Sequence, residues 1–361
     1  MRIGVVTTSY PRTPTDPAGS FVAAHVHALR ALGHDVDVIA AGTRAGRDVV
    51  RIPSTLFERG GAPDALEREP FALLGAAASF SARLAAAVAI RAHRWDSIVA
   101  HWLVPSAIAA LPARAPLLAI AHGGDVHTLR RARLLAPVLH LLSRRDTELV
   151  FVSEELRAIA IAEVPSLAPW LRRQAVQPMG LDLARFSAIA HAPTDPPTIV
   201  VAARLVPVKG IDVLIDAAAQ LRSRVRVLIA GDGPARAELE RRARTAPVTF
   251  LGQIDTTARD HLLGTASVVV VPSRITPTGR TEGTPMIALE ALAAGVPLVA
   301  SGVGGLRDLA PAAHLVAPED PRALAMAIDD VLSAPPTAAD LRAAVTHLAW
   351  DRIAARLVRN Q

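Results

Sequence analysis

Thr198-Ile199-Val200-Val201-Ala202-Ala203 runs directly into Arg204-Leu205-Val206-Pro207-Val208-Lys209-Gly210 and then into Ile211-Asp212-Val213-Leu214-Ile215. The first six residues are β-branched or small and almost uniformly apolar, as a strand buried on both faces requires. The next seven hold two cations, a proline and a glycine, which is loop chemistry. From 211 to 221 the apolar residues follow a helical pattern. Strand, loop and helix in that order make one βα unit, and a succession of such units builds a parallel sheet covered by helices.

The same unit recurs in both directions. Downstream the strand candidates are 225–230, 248–251, 268–271, 298–301 and 314–317; upstream they are 3–7, 35–40, 97–100, 117–121 and 149–152. Helical stretches separate them, among them 21–32 and the Arg-rich segment 129–145. His191-Ala192-Pro193-Thr194-Asp195-Pro196-Pro197 breaks the alternation and reads as a rigid polar linker. Two α/β domains follow, 1–192 and 193–336, with helical residues 337–361 beyond the last strand of the second. Ligands of open parallel sheets bind beyond the carboxyl ends of the strands. Two such domains facing each other would line a cleft with their strand-to-helix loops.

Composition narrows the function classes. A chain of 361 residues, 51% hydrophobic and 20% charged, can bury two cores and is not disordered. Zero cysteines exclude a disulfide framework, cysteine-ligated zinc, iron–sulfur clusters and a catalytic thiol. Lysine and arginine total 39, yet Lys209 is the single lysine, a skew towards arginine that suits a G+C-rich coding sequence better than a nucleic-acid site. The net charge is +6 and aromatic residues are 3%, so stacking platforms for nucleic acid are few and no nucleic-acid partner is expected. The apolar run 71–90 contains Arg83 and much alanine, and predicts a buried amphipathic helix rather than a membrane span. Met1 to Val6 enters a strand pattern at once, so the expected location is the cytoplasm.

Candidate chemistry sits in the loops after the strands. Gly19, just before a helix, would let a ligand approach first-turn amides, or would simply serve the helix start. His122-Gly123-Gly124-Asp125 follows a buried strand; the imidazole either reaches into a cleft or caps the next helix. Arg204 and Lys209 put two cations at a strand-to-helix junction, an anion site able to hold a diphosphate. Gly231-Asp232-Gly233-Pro234 reads equally as a tight turn or as part of the site. In Glu282-Gly283-Thr284-Pro285-Met286-Ile287-Ala288-Leu289-Glu290, Glu282 precedes a helix and Glu290 lies one to two turns within it. Two carboxylates so placed can accept from vicinal hydroxyls of one extended ligand. Ser301-Gly302-Val303-Gly304-Gly305 adds a glycine-rich turn as a second phosphate-facing candidate.

These residues together resemble the retaining glycosyltransferases of family 4, which have the GT-B fold of two Rossmann-like domains. The resemblance rests on the E-x7-E segment from Glu282 to Glu290, the run EALAAGVPLVAS that continues it, the Arg204/Lys209 pair, GDGP from Gly231, Phe250-Leu251-Gly252 and His122-Gly123. It implies that Arg204 and Lys209 hold the diphosphate of a nucleotide-sugar donor and that Glu290 accepts from the ribose. Glu282, with the backbone of Gly283, Thr284, Pro285 and Met286, would bind the transferred sugar. His122 would contact that sugar from the first domain, with Asp125 and Gly233 also at the substrate, Gly19 keeping the first loop open and Ile254 near the base. No metal and no cofactor is implied beyond the donor itself. The final helices would return to the first domain.

Two departures bear on the donor sugar. Gly304-Gly305-Leu306-Arg307-Asp308 stands where the family has Gly-Gly-hydrophobic-Pro-Glu, and Arg280 lies two residues before Glu282. A nucleotide-sugar 2-epimerase on the same scaffold, or a non-catalytic sugar-nucleotide binder, is the alternative reading. The basic segment 129–145 reads either as a helix packed on the sheet by its leucines with its arginines facing water, or as a contact with an anionic membrane, at the inner face of which a lipid-borne hydroxyl acceptor would reside.

Overall fold

The computed structural model describes residues 1–13, 16–43, 49–58, 70–244, 246–310 and 312–359. The chain divides into two α/β units, Met1–Gly180 with Trp350–Gln361, and Leu181–Ala349. The first contains strands β1 (Arg2–Val6), β2 (Asp35–Ala41), β3 (Val49–Ile52), β4 (Ser97–His101), β5 (Leu117–Ala121), β6 (Glu148–Phe151) and β7 (Ala175–Val176), ordered β3-β2-β1-β4-β5-β6-β7. The second contains β8 (Thr198–Ala202), β9 (Arg226–Ala230), β10 (Val248–Gly252), β11 (Val268–Val271), β12 (Leu298–Ser301) and β13 (His314–Val316), ordered β10-β9-β8-β11-β12-β13.

Every pairing is parallel; Val5, for instance, lies between Val38 and Val99. Helices cover both sheets, so the central strands carry Val, Ile, Leu and Ala with almost no exposure. In each sheet the chain first builds outward, then crosses back to the other side of its first strand. The reversal falls between β1 and β4 in one unit and between β8 and β11 in the other. Those are the switch points where loops diverge and a ligand finds room.

The two-unit α/β architecture is the one the alternation predicts, but its boundaries differ from 192/193 and 336/337. Residues after Gly180 already belong to the second unit. Phe186 of the helix Leu183–Ser187 is buried, and Arg185 grips Asp260 with Nε at 3.0 Å and Nη2 at 2.7 Å. The helix Ala338–Val345 also stays there, packed on the helix Met286–Ala294, and Arg342 donates to the Ala294 carbonyl at 3.0 Å. The helix Trp350–Arg359 alone goes back to the first unit, against the helix Ser20–Ala31.

The run 71–90 forms the helix Pro70–Arg91, which buries Phe80, Leu84, Ala87 and Val88 along one stripe while Ile90 faces out. Among the described residues no helix is long and apolar enough to cross a membrane. The segment 129–145 is not one helix: Gly124–Arg131 and Leu135–Arg144 are separated at Arg133, which adopts φ 58°. Pro137 is tolerated because it falls in the first turn of the second helix.

Candidate functional site

In the second unit the loops after β8 and β11 lie side by side at the switch point. Lys209, at the end of the β8 loop, places Nζ 2.7 Å from Glu282 Oε1, and both side chains are largely buried. Glycines make this approach possible. A Cβ on Gly210 would fall 1.9 Å from the Pro272 carbonyl oxygen, and Gly210 sits at φ 59°, so only glycine fits. The Gly304-Gly305 turn pins Glu282 from the far side: the Gly305 amide donates to the Gly283 carbonyl at 2.7 Å, and a Cβ on Gly304 would collide with the Glu282 carbonyl. That turn therefore braces the Glu282 loop.

Gly231 and Gly233 have the same kind of duty. A Cβ on Gly233 would meet the Leu205 carbonyl oxygen at 2.4 Å, and Leu205 donates to the Asp232 carbonyl at 3.0 Å, which fixes the backbone around Arg204. Arg204 is half-buried. Burial lowers its pKa first and the neighbouring charge of Arg280 second, against the pull of Glu282. Three cations, Arg204, Lys209 and Arg280, thus share a small region with one carboxylate.

Glu290 lies within the helix Met286–Ala294, whose N-cap is Pro285, with Gly283 and Thr284 just ahead of it. Its carboxylate is buried and 3.0 Å from Arg259 Nη1. Burial raises its pKa, while Arg259 pulls it down. Arg259 is held in turn by its own helix, Thr256–Thr265, which Arg185 fastens through Asp260. Ile254 is half-buried, one residue before the Asp255 cap of that helix. Nothing in the motif spacing pointed to Arg259, because its helix is remote in sequence from Glu290.

The first unit gathers a different set. His122 directly follows β5 and His101 ends β4; His101 Nδ1 is 3.0 Å from His122 Nε2. His101 Nε2 is in turn 3.2 Å from Nδ1 of His25, on the helix Ser20–Ala31. The rings of Phe21 and Trp102 stand 5.2 and 4.8 Å from that of His122. Trp102 adopts φ 72°, an uncommon backbone for a bulky residue and one often found at functional sites.

All three imidazoles are held neutral by burial, His25 down to about 4, His122 to about 3 and His101 well below its ordinary value. The apolar run 97–100 does not reveal His101, although this residue, like His122, is a polar ring at the carboxyl end of a buried strand.

Asp125 is a brace, not a group open to a ligand. Its carboxylate accepts from the backbone N–H groups of Leu103 at 2.7 Å, His122 at 3.1 Å, Gly123 at 3.0 Å and Val126 at 3.0 Å. Burial raises its pKa, and backbone N–H donors, that of Leu103 foremost, oppose the rise. Gly19 caps the helix Ser20–Ala31 at φ 72°, and a Cβ there would strike the backbone of Ser9 and Tyr10 at 2.5–2.6 Å. The loop it supports is clamped by Arg51, which donates from Nη1 to the Tyr10 carbonyl at 3.0 Å and from Nη2 to the Pro11 carbonyl. Among the described residues no group of three or more His, Asp or Glu is arranged to hold a metal ion.

Residues 184–347 match the family described as glycosyl transferases group 1, and residues 18–180 match a glycosyl transferase 4-like domain. The chain is 31% identical to a glycogen synthase of Mycobacterium tuberculosis, over 94% of its own length and 87% of the relative's. It is 28% identical to a putative teichuronic acid biosynthesis glycosyltransferase of Bacillus subtilis, over 91% and 88%. Among solved structures, Anabaena HepE in complex with UDP and glucose superposes with a TM-score of 0.75 at 20% identity, covering 100% of this chain and 99% of that one. A sucrose-phosphate synthase of Thermosynechococcus elongatus gives 0.73 at 22%, covering 99% and 98%. At these identities the superpositions establish the fold.

Proposed function

Since the chain belongs to the group 1 glycosyl transferases with a glycosyl transferase 4-like domain ahead, we propose that it moves a sugar from a nucleotide-diphosphate-sugar donor to a hydroxyl acceptor with retention at the anomeric carbon. The observation that carries this reading is the Lys209–Glu282 pair beside Arg204, at the switch point of the second sheet. In the free protein these charges satisfy one another. On donor binding, Lys209 and Arg204 would turn to the diphosphate, and Glu282 to the hydroxyls of the sugar.

The chemistry follows from charge. As the anomeric C–O bond breaks, positive charge develops on the sugar and negative charge on the departing diphosphate. Arg204 and Lys209 stabilise the latter without a metal. Glu290 and Arg259 form a buried polar anchor for the ribose. The first unit supplies His122 to the transferred sugar. Its nearest carboxylate in sequence, Asp125, is committed to four amides and so does not serve as a nucleophile for double displacement. Front-side attack, with the leaving phosphate taking the acceptor's proton, is the mechanism this supports.

The test is a panel of nucleotide-diphosphate sugars incubated with the protein in excess EDTA, with donor cleavage and product configuration read by NMR. Cleavage of one donor with a retained product is expected; loss of activity on chelation, or a released epimerised sugar, overturns the reading. In calorimetry, Lys209→Ala should weaken binding of the matching nucleoside diphosphate by about 1.5–3 kcal/mol, as for a hydrogen bond to a charged group.

A further inference from the structure

His25, His101 and His122 form a continuous file inside the first unit, two ring-to-ring contacts of 3.2 and 3.0 Å. His25 and His101 are fully buried. One end of the file is His25 Nε2, which finds no hydrogen-bond partner among the described residues. The ring there lies flat on the indole of Trp350, centroids 4.9 Å apart and planes 11° from parallel. The other end is His122 Nδ1, on a half-buried ring flanked by Phe21 and Trp102.

Proton bookkeeping leaves two states. Three neutral imidazoles carry three N–H protons, and each ring-to-ring contact needs one donor and one acceptor. All protons must therefore sit on Nδ1, or all on Nε2; any mixture leaves one contact with two protons or with none. The all-Nε2 state would bury the His25 Nε2–H against no acceptor. Orphaned buried N–H groups are rarer than orphaned acceptors, which selects the all-Nδ1 state.

We propose that His25 and His101 are positioning residues that fix the tautomer of His122, holding its Nε2 as an acceptor and leaving its Nδ1–H to donate to a hydroxyl of the transferred sugar. The role rests on the reading of His122 as a sugar contact. It explains why two further histidines lie behind it where apolar side chains would fill the same space. Asp125 fixes the backbone of the His122 turn, and the file fixes its ring. The site thus presents a donor of set direction before any sugar arrives, which lowers the reorganisation needed in the transition state.

Long-range 1H–15N spectra of the 15N-histidine-labelled wild-type protein test this directly. The chain has 12 histidines, and the His122 signals are assigned by their absence in His122→Gln. A proton on Nδ1 of His122 is expected; a proton on Nε2 overturns the proposal.

In the transfer assay, His101→Leu should lower kcat/KM about tenfold, the effect of one hydrogen bond, while nucleoside diphosphate affinity stays within twofold. His101→Gln, whose amide can accept from His25 and donate to His122, should restore most of the rate. Equal rates for the wild type and His101→Leu, or equal losses in His101→Leu and His101→Gln, would refute the positioning role. Absence of transfer by the wild type would instead refute the proposed function, and the tautomer spectrum would still stand as the test of the file.

Discussion

At the scale of single residues, this molecule keeps polar groups inside and makes each one hold another. His25 and His101 are fully buried and His122 half so, all neutral in the fold, while an unfolded chain would titrate them near 6.5. Between about pH 6.5 and about 4 the unfolded state binds protons that the folded rings refuse. Stability must then fall as pH falls across that window, by up to about 1.4 kcal/mol per pH unit for each ring. Asp125 and Glu290, held above the ordinary carboxyl range, act in the opposite sense. The contribution of one ring is isolated by His25→Phe, which retains an aromatic face towards Trp350. Urea midpoints at pH 7, 6 and 5 should drop less steeply for this variant than for the wild type. The same slope in both proteins would mean that His25 titrates normally in the fold. None of this burial was legible from sequence, since a histidine ending a strand and a histidine on a helix look alike until topology brings β1, β4 and β5 together.

Among elements, legibility followed burial. The inner strands of the second sheet, β9, β8, β11 and β12, are readable as apolar runs because helices cover both faces, and its partly exposed edges β10 and β13 still carry enough apolar residues to be read. The two missed strands, β3 and β7, are edges: β3 is only partly buried and β7 has two residues. The omission mattered, because Arg51 of β3 clamps the first loop. The pair Gly124–Arg131 and Leu135–Arg144 shows a second limit. Leu129, Leu135, Val138, Leu139 and Leu142 are buried, as an amphipathic pattern demands. The pattern does not reveal that the chain breaks at Arg133, nor that Arg130 is tied to Glu163 at 2.6 Å. The break leaves Leu134 and Leu141 about half exposed beside the exposed Arg131, Arg133 and Arg144. We propose that this face rests on an anionic membrane surface and so brings a lipid-borne acceptor within reach. Each arginine near such a surface contributes about 1 kcal/mol. Sedimentation with anionic vesicles should show binding at low salt that is lost at high salt, and Arg133→Glu with Arg144→Glu should abolish it. Salt-independent recovery in the supernatant would assign the enzyme a soluble acceptor.

For the molecule as a whole, the informative residue is Trp350, where the chain re-enters the first unit after leaving it at Gly180. Its indole is buried, stacks on His25, and occupies the space that a side chain at position 180 would need: a Cβ on Gly180 would lie 2.4 Å from the ring. Both passages of the chain between units therefore converge on one aromatic side chain of the first unit. Only the family resemblance predicts that the end of the chain returns to the first domain, and it places the start of that return at 337. The return starts instead at 350, because the helix Ala338–Val345 has its apolar face on the second unit. The energetic consequence is local. Trp350→Ala should cost the first unit about 3–5 kcal/mol, the range for emptying a large buried aromatic site. Hydrogen exchange should then speed up in the helix Ser20–Ala31 and in β1 to β6, while β8 to β13 keep their protection. Nucleoside diphosphate affinity, carried by Lys209 and Arg204, should be unchanged, and transfer should fall because His25 loses the surface it lies on. If protection were lost equally in both units, the indole would be holding the entire chain together and not the first unit.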